Sequence, residues 1–162
     1  MQRSNLIPMY TKAELAALKT EFWNAFARYA SVQPSLRGRK KLWILHHTKV
    51  KGVALKFIVE RQHVAVVIEL SHNAHHERAE MLERIIPYME TLQRDIDLPL
   101  EIRTETTTEV GKCVTQIGIY KEGAFDYHVP QQWGDYFSFM AKYMYLLERN
   151  FLEIKPYISF EV

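Results

Sequence analysis

Glu69 is the residue whose surroundings come nearest to chemistry. It stands in His63–Leu70, a run in which nearly every other residue is apolar. A carboxylate there needs a cation or hydrogen-bond donors, because an unpaired buried charge is too costly to keep. Lys56 and Arg78 are the nearest cationic candidates. Val53, Leu55, Phe57 and Val59 alternate with Ala54, Lys56, Ile58 and Glu60, the period of a strand. If Arg61 and Gln62 form a two-residue turn, Ala54 faces Glu69, Lys56 faces Val67 and Ile58 faces Ala65. Lys56 and Glu69 are then diagonal neighbours on one face, within reach of long side chains. With His72 at the strand exit and a further carboxylate, Glu60 or Glu83, this set could bind a divalent metal and activate water. The plainer account is a buried ion pair bracing the sheet, and such pairs mimic catalytic sites. The residue types favour the plainer account, so no catalytic residue or metal ligand is assigned.

The histidines offer a second candidate. His72 and His76 are four apart, the spacing of two ligands on one helix face. Asn73 is the expected N-cap of the following helix, however, which puts His72 before it and breaks that geometry. His46 and His47 are adjacent on a predicted strand and point to opposite faces, so they cannot chelate together.

Arg37, Arg39, Lys40 and Lys41 form a third candidate. They make a basic loop that suits phosphate contacts, followed by Trp43, which could stack on a base. The loop belongs to a longer asymmetry. Between Glu21 and Glu60 there is no acidic residue, while Arg28, Arg37, Arg39, Lys40, Lys41, Lys49, Lys51 and Lys56 are all positive. The whole chain carries only +2, so the rest is net acidic. Such segregation marks either a polyanion-binding edge or a segment that meets acidic helices of its own domain or of a second subunit.

Several classes are set aside by absence. There is no Gly-rich phosphate loop, no Gly-x-Ser-x-Gly elbow and no His-Glu-x-x-His motif, which removes the commonest nucleotide-binding and hydrolase assignments. A single cysteine, Cys113, excludes an internal disulfide framework and fits a reducing compartment. No apolar run is long enough to span a membrane, and the first residues are too polar for a signal peptide. A cytoplasmic location with no membrane partner is the expectation. The length of 162 residues, with 48% hydrophobic and 25% charged residues, fits one globular domain over 1–162 that folds without a metal or disulfide staple.

The elements that must position these residues are legible. Thr11 and Glu14 have capping-box spacing, and Leu15, Leu18, Phe22, Phe26 and Tyr29 recur at helical spacing until Pro34 ends the run. Strands are expected at Leu42–Thr48, Val53–Glu60 and His63–Leu70. A second helix carries Met81, Leu82, Ile85, Met89, Leu92 and Ile96, with a kink or break at Pro87. Two more strands, Leu98–Thr106 and Lys112–Tyr120, meet around Gly111. A long helix after Pro130 carries Trp133, Phe137, Met140, Tyr143, Met144, Leu147, Phe151 and Ile154, widened by Tyr136 and Phe139. The order α-β-β-β-α-β-β-α predicts an α+β domain with a mixed or antiparallel sheet packed by helices. The last helix is apolar over more than the narrow stripe one sheet face needs, which predicts a homodimer through it.

Phe22-Trp23-x-x-Phe26, Gly38-Arg39-Lys40 with Trp43, Ile68-Glu69-x-x-His72 with Arg78 and Glu83, and Trp133-x-x-x-Phe137-Ser-Phe139 together form a pattern. It resembles an uncharacterised bacterial family, a domain of unknown function, over residues Tyr10 to about Phe151. Members occur alone or at the C-terminus of larger proteins, some of them with nuclease-like N-terminal parts, and the resemblance implies no agreed activity. The element order is also similar to the core of restriction-endonuclease-like enzymes. That likeness asks for an acid on the second strand and a Glu/Asp-x-Lys on the third. Glu69 matches the third-strand carboxylate. Position 71 is Ser71, and Lys56 stands where the second-strand acid belongs. A shared fold would therefore carry an incomplete, degenerate catalytic set.

Two functions fit. One is a non-enzymatic binding or assembly module without a cofactor, serving bacterial DNA-processing systems, with nucleic acid as a partner. The alternative is a metal-dependent nuclease with an atypical site using Glu69 and Lys56. The missing signature residues favour the first.

Overall fold

A computed structural model describes residues 9–33, 48–123 and 125–159. Helix α1 spans Lys12–Ser31. Its start is capped as the sequence predicts, with the Glu14 amide donating to Thr11 Oγ1 at 3.2 Å. Strands β1 (Val53–Glu60) and β2 (His63–Leu70) follow, then helix α2 (His75–Ile85). Pro87 breaks the second helical segment as expected. A 3₁₀ turn over Ile86–Tyr88 intervenes before the short helix α3, Met89–Gln93. Strands β3 (Glu101–Thr107) and β4 (Cys113–Glu122) and the long helix α4 (Trp133–Ile158) complete the described elements. They run in the predicted order. The strand expected over Leu42–Thr48 lies outside the described residues except for Thr48.

One expectation is corrected. Helix α2 starts at His75, with Ala74 rather than Asn73 in the cap position. Ala74 has no side-chain oxygen to offer, and the Glu77 carboxylate accepts from the Ala74 amide, at 3.3 Å.

The four strands form an antiparallel sheet in the order β1-β2-β4-β3. Alternation gives it two unlike faces. Val53 and Leu55 of β1, Val64, Val66, Ile68 and Leu70 of β2, and Ile117 and Ile119 of β4 share one core with the helices. This gives an α+β architecture, with the helical core on one face of the described sheet. The other face carries Lys56, Glu69, Gln116 and Arg103.

Helix α4 is the centre of the helical layer. Tyr136, Phe137, Phe139, Met140, Tyr143, Met144, Leu147 and Phe151 are all buried within one chain. Phe22 of α1 meets the rings of Trp133, Tyr136 and Phe137 at centroid distances of 5.1–5.7 Å. The wide apolar surface that predicted a dimer is thus covered by the chain's own helices and sheet.

Two glycines set the sheet's shape. Gly118 of β4 faces Val67, and a Cβ there would fall 2.4 Å from the Val66 carbonyl oxygen and 2.6 Å from Val67 Cγ1. Gly52, before β1, has φ +76° and lies directly against the His72 ring. Only glycine adopts that backbone conformation freely and leaves room for the imidazole.

Candidate functional site

The register of the first hairpin is the predicted one: Ala54 faces Glu69, Lys56 faces Val67 and Ile58 faces Ala65. Arg61 and Gln62 are not a favoured turn pair, and tertiary donors hold the turn. Tyr136 donates to the Arg61 carbonyl at 2.7 Å, Tyr127 N to Arg61 O at 3.0 Å and Gly123 N to Gln62 O at 3.1 Å. Placing the turn carbonyls under these donors fixes the register, because one slip would reverse every side chain on β2.

Lys56 Nζ lies 2.5 Å from Glu69 Oε2. The lysine side chain is 41% exposed and the glutamate 4%. Gln116 of β4, directly across from Glu69, donates to its other oxygen at 3.4 Å. Tyr120 donates to Gln116 Oε1 at 3.1 Å, and the Arg103 guanidinium lies 3.6 Å from the Tyr120 ring centroid. The His63 ring stacks near Tyr120 at 6.0 Å. A polar row therefore crosses all four strands: Lys56, Glu69, Gln116 with Tyr120, then Arg103. Burial pushes the Tyr120 hydroxyl up to about 12, so it stays protonated and keeps donating to Gln116 at ordinary pH. Gln116, Tyr120 and Arg103 were not singled out from sequence. The available signal was a glutamine beside Ile117 and two residues from Val114 in an expected strand.

The groove beside this row is also lined by Lys19 and Trp23 of α1, Phe57, and Thr106–Val110 at the end of β3, and holds about 380 Å³.

The carboxylates needed for metal chemistry are not brought to Glu69. Glu60 pairs with His63, six residues along β2 from Glu69, or roughly 20 Å at ~3.3 Å per residue. Glu83 is exposed on α2, whose buried Met81 and Ile85 belong to the opposite, helical face. Among the described residues no group of three or more His, Cys, Asp or Glu side chains is placed to hold a metal ion.

His72 and His76 do not form a helical pair, since α2 begins only at His75. His72 packs on Gly52, and its buried Nδ1 has no hydrogen-bond partner. Arg78, considered above as a partner for Glu69, is committed elsewhere. Its Nη2 meets Glu105 Oε2 at 2.8 Å, and its Nη1 donates to the His72 carbonyl at 2.7 Å. A register shift between Arg103 and Thr106 makes this possible. Strict alternation would put Glu105 on the face of Arg103; the inserted residue, with Glu105 at φ +52°, turns it toward α2 instead. His75 Nδ1 at 2.9 Å and Cys113 Sγ at 2.8 Å also reach Glu105. Arg78, Cys113 and His75 hold the Glu105 carboxyl down to about 2. The same contact pushes the Cys113 thiol up, away from reactive thiolate.

Arg37, Arg39, Lys40 and Lys41, with Trp43, His46 and His47, lie outside the described residues. Of the same acid-free stretch, Arg28, Lys49 and Lys51 are exposed.

Among the described residues, an antiparallel four-stranded sheet with its helical core on one face and a polar row on the other defines the class: an α+β domain. The chain belongs to a family that is a domain of unknown function, DUF4268, whose model matches residues 18–155. No curated protein and no solved structure matches the chain. Among the described residues, no helix is long and apolar enough to cross a membrane.

Proposed function

We propose that this domain is a non-enzymatic binding module that docks on nucleic acid, and that it serves bacterial DNA-processing systems in that role. The observation that carries the reading is the acid-free stretch between Glu21 and Glu60, whose described members Lys49 and Lys51 are exposed at the entrance to β1. Cations on the outside of a domain suit phosphate contacts, which position a protein on a strand without reading sequence. The state of Glu69 supports the non-enzymatic half. Its carboxylate is engaged by Lys56 and Gln116. Assembly through α4 is not part of this reading, since its aromatic face is buried within the chain.

Fluorescence anisotropy of labelled DNA, titrated with the full chain over a salt series, tests the proposal. Affinity must fall linearly on a log–log plot against salt, as released counterions require. The double variant Lys49→Glu, Lys51→Glu is expected to bind more weakly and with a shallower salt slope. Absence of binding at low salt overturns the reading.

A further inference from the structure

We infer that the groove on the polar face of the sheet takes an uncharged planar heterocycle, the group that an unpaired nucleobase presents. For the strand that carries the base, this rests on the nucleic-acid reading above.

The groove's size suits such a group. Its volume of about 380 Å³ lies within the ~300–1,000 Å³ of ordinary small-molecule sites. Its charge then narrows the ligand. Lys19, Lys56 and Arg103 are opposed by Glu60, Glu69 and Glu109 in the same lining. Lys56 is tied to Glu69, and Arg103 to Glu101 at 3.0 Å. A groove so balanced offers no net field to a phosphate or carboxylate, and the group that enters it is neutral.

The lining also fits a flat ring with a polar edge. At the edge of β1, Trp23 and Phe57, which pack toward the helical side, border the groove with half-buried aromatic surface, and base–aromatic stacking tolerates any base. Thr106, opposite Val114 and so on the side of Gln116, brings a hydroxyl from the end of β3. On the floor Gln116 is held in one orientation, its oxygen taken by Tyr120 and one N–H given to Glu69. That leaves its second N–H unspent among the described residues. A side-chain amide has both donors and acceptors, the complement of a base edge.

The groove contains one polar atom that is plainly short of a partner. His63 lines it, its side chain is 15% exposed, and its buried Nδ1 makes no hydrogen bond. The nearest acid, Glu122, is 3.7 Å away, too far for one. A buried polar atom without a partner is uncommon enough to point to a missing group.

Phosphates then stay outside. Lys19 sits one helical turn before Trp23, on the same side of α1, and is exposed, as are Lys49 and Lys51. A base enters while its backbone runs along these lysines. A duplex cannot do this, because its bases are stacked and paired.

Calorimetry on the full chain tests the inference with two probes: free uncharged nucleosides, and single-stranded against duplex oligonucleotides. The key variant is Thr106→Trp. Thr106 is half-buried on the groove wall and stands opposite Val114, on the side of Gln116, so an indole there fills the groove, and Thr106 is not part of the hydrophobic core. Nucleosides are expected to bind with an affinity insensitive to salt, unchanged by Lys49→Glu, Lys51→Glu. Thr106→Trp should weaken that binding at least about tenfold, or ~1.4 kcal/mol, with an unchanged melting temperature. Single strands should outcompete duplex. No nucleoside binding at millimolar concentration, or binding unaffected by Thr106→Trp, overturns the inference. If strands still bind in a salt-dependent way, the nucleic-acid reading stands and only the groove assignment fails. If nucleosides bind and strands do not, the groove assignment stands for a free ligand and the nucleic-acid reading fails.

Discussion

Lys56 and Glu69 lie on adjacent strands, two residues apart in register, and the exposed end of one meets the buried end of the other. The lysine reaches inward to a carboxylate that water does not reach. The pair is asymmetric, and its energetics should be asymmetric too.

Lys56→Met removes the cation and leaves Glu69 buried with only Gln116. This should cost about 1–3 kcal/mol, the penalty of an under-satisfied buried group, at the lower end because Lys56 is partly solvated. Glu69→Gln leaves a neutral group beside a lysine that can turn to solvent, and should cost less. Urea unfolding of both single variants and the double variant gives the coupling. Equal losses in the two single variants would contradict this account.

Stability should fall in acid through Glu105. Its carboxyl is held at about 2 in the fold against an ordinary 4.5, so the unfolded chain takes up that proton more readily than the folded one. The contribution is fully present above about pH 4.5 and is lost as the pH drops toward 2. Melting temperature measured across pH 2–6 should decline in that window, and Glu105→Gln should flatten the decline while lowering the plateau.

Phe22→Ala is expected to destabilise by about 3–5 kcal/mol, the range for a buried aromatic in a core that cannot collapse around the void. Phe22 is 1% exposed and touches the rings of Trp23, Tyr127, Trp133, Tyr136 and Phe137. Denaturant titration reads the loss. Sedimentation of Met140→Ala is the companion measurement: the α4 face is core, so melting should change and association state should not.

Gly118→Ala should cost more than the change of one methyl group suggests. The new Cβ meets a backbone carbonyl, which cannot rotate away. Thermal unfolding should show a loss of about 1–3 kcal/mol, as for other overpacked sites. A neutral result would mean that β2 and β4 can separate there.

Local patterns made much of this architecture legible. The alternation in Val53–Glu60 and the two-residue spacing at Arg61 and Gln62 contain the whole hairpin register, and with it the Lys56–Glu69 contact. Pro87 marks a break because a missing amide acts locally. The partners of Arg78 were not legible, since they depend on a bulge that reverses the side of Glu105 and on a strand far along the chain. Gln116 and Tyr120 became site residues only when β4 was inserted beside β2, a fact of topology that spacing does not contain. How far the aromatic width of α4 is covered within the chain was not legible for a related reason: it depends on what packs around the helix. Here α1, α3 and the sheet cover it.

The strand order has a consequence during synthesis. A ribosome releases β1, β2, β3 and β4 in turn, yet β4 sits between β2 and β3. The inner edge of β2, whose residues are the most apolar in the sheet, waits bare while the next two helices and β3 emerge. An uncovered apolar edge is a template for pairing with another chain. Nascent chains stalled before β4 should therefore be the ones that chaperones hold and that precipitate when released, and a stop codon in the β3–β4 turn should yield insoluble product rather than a partly working fragment.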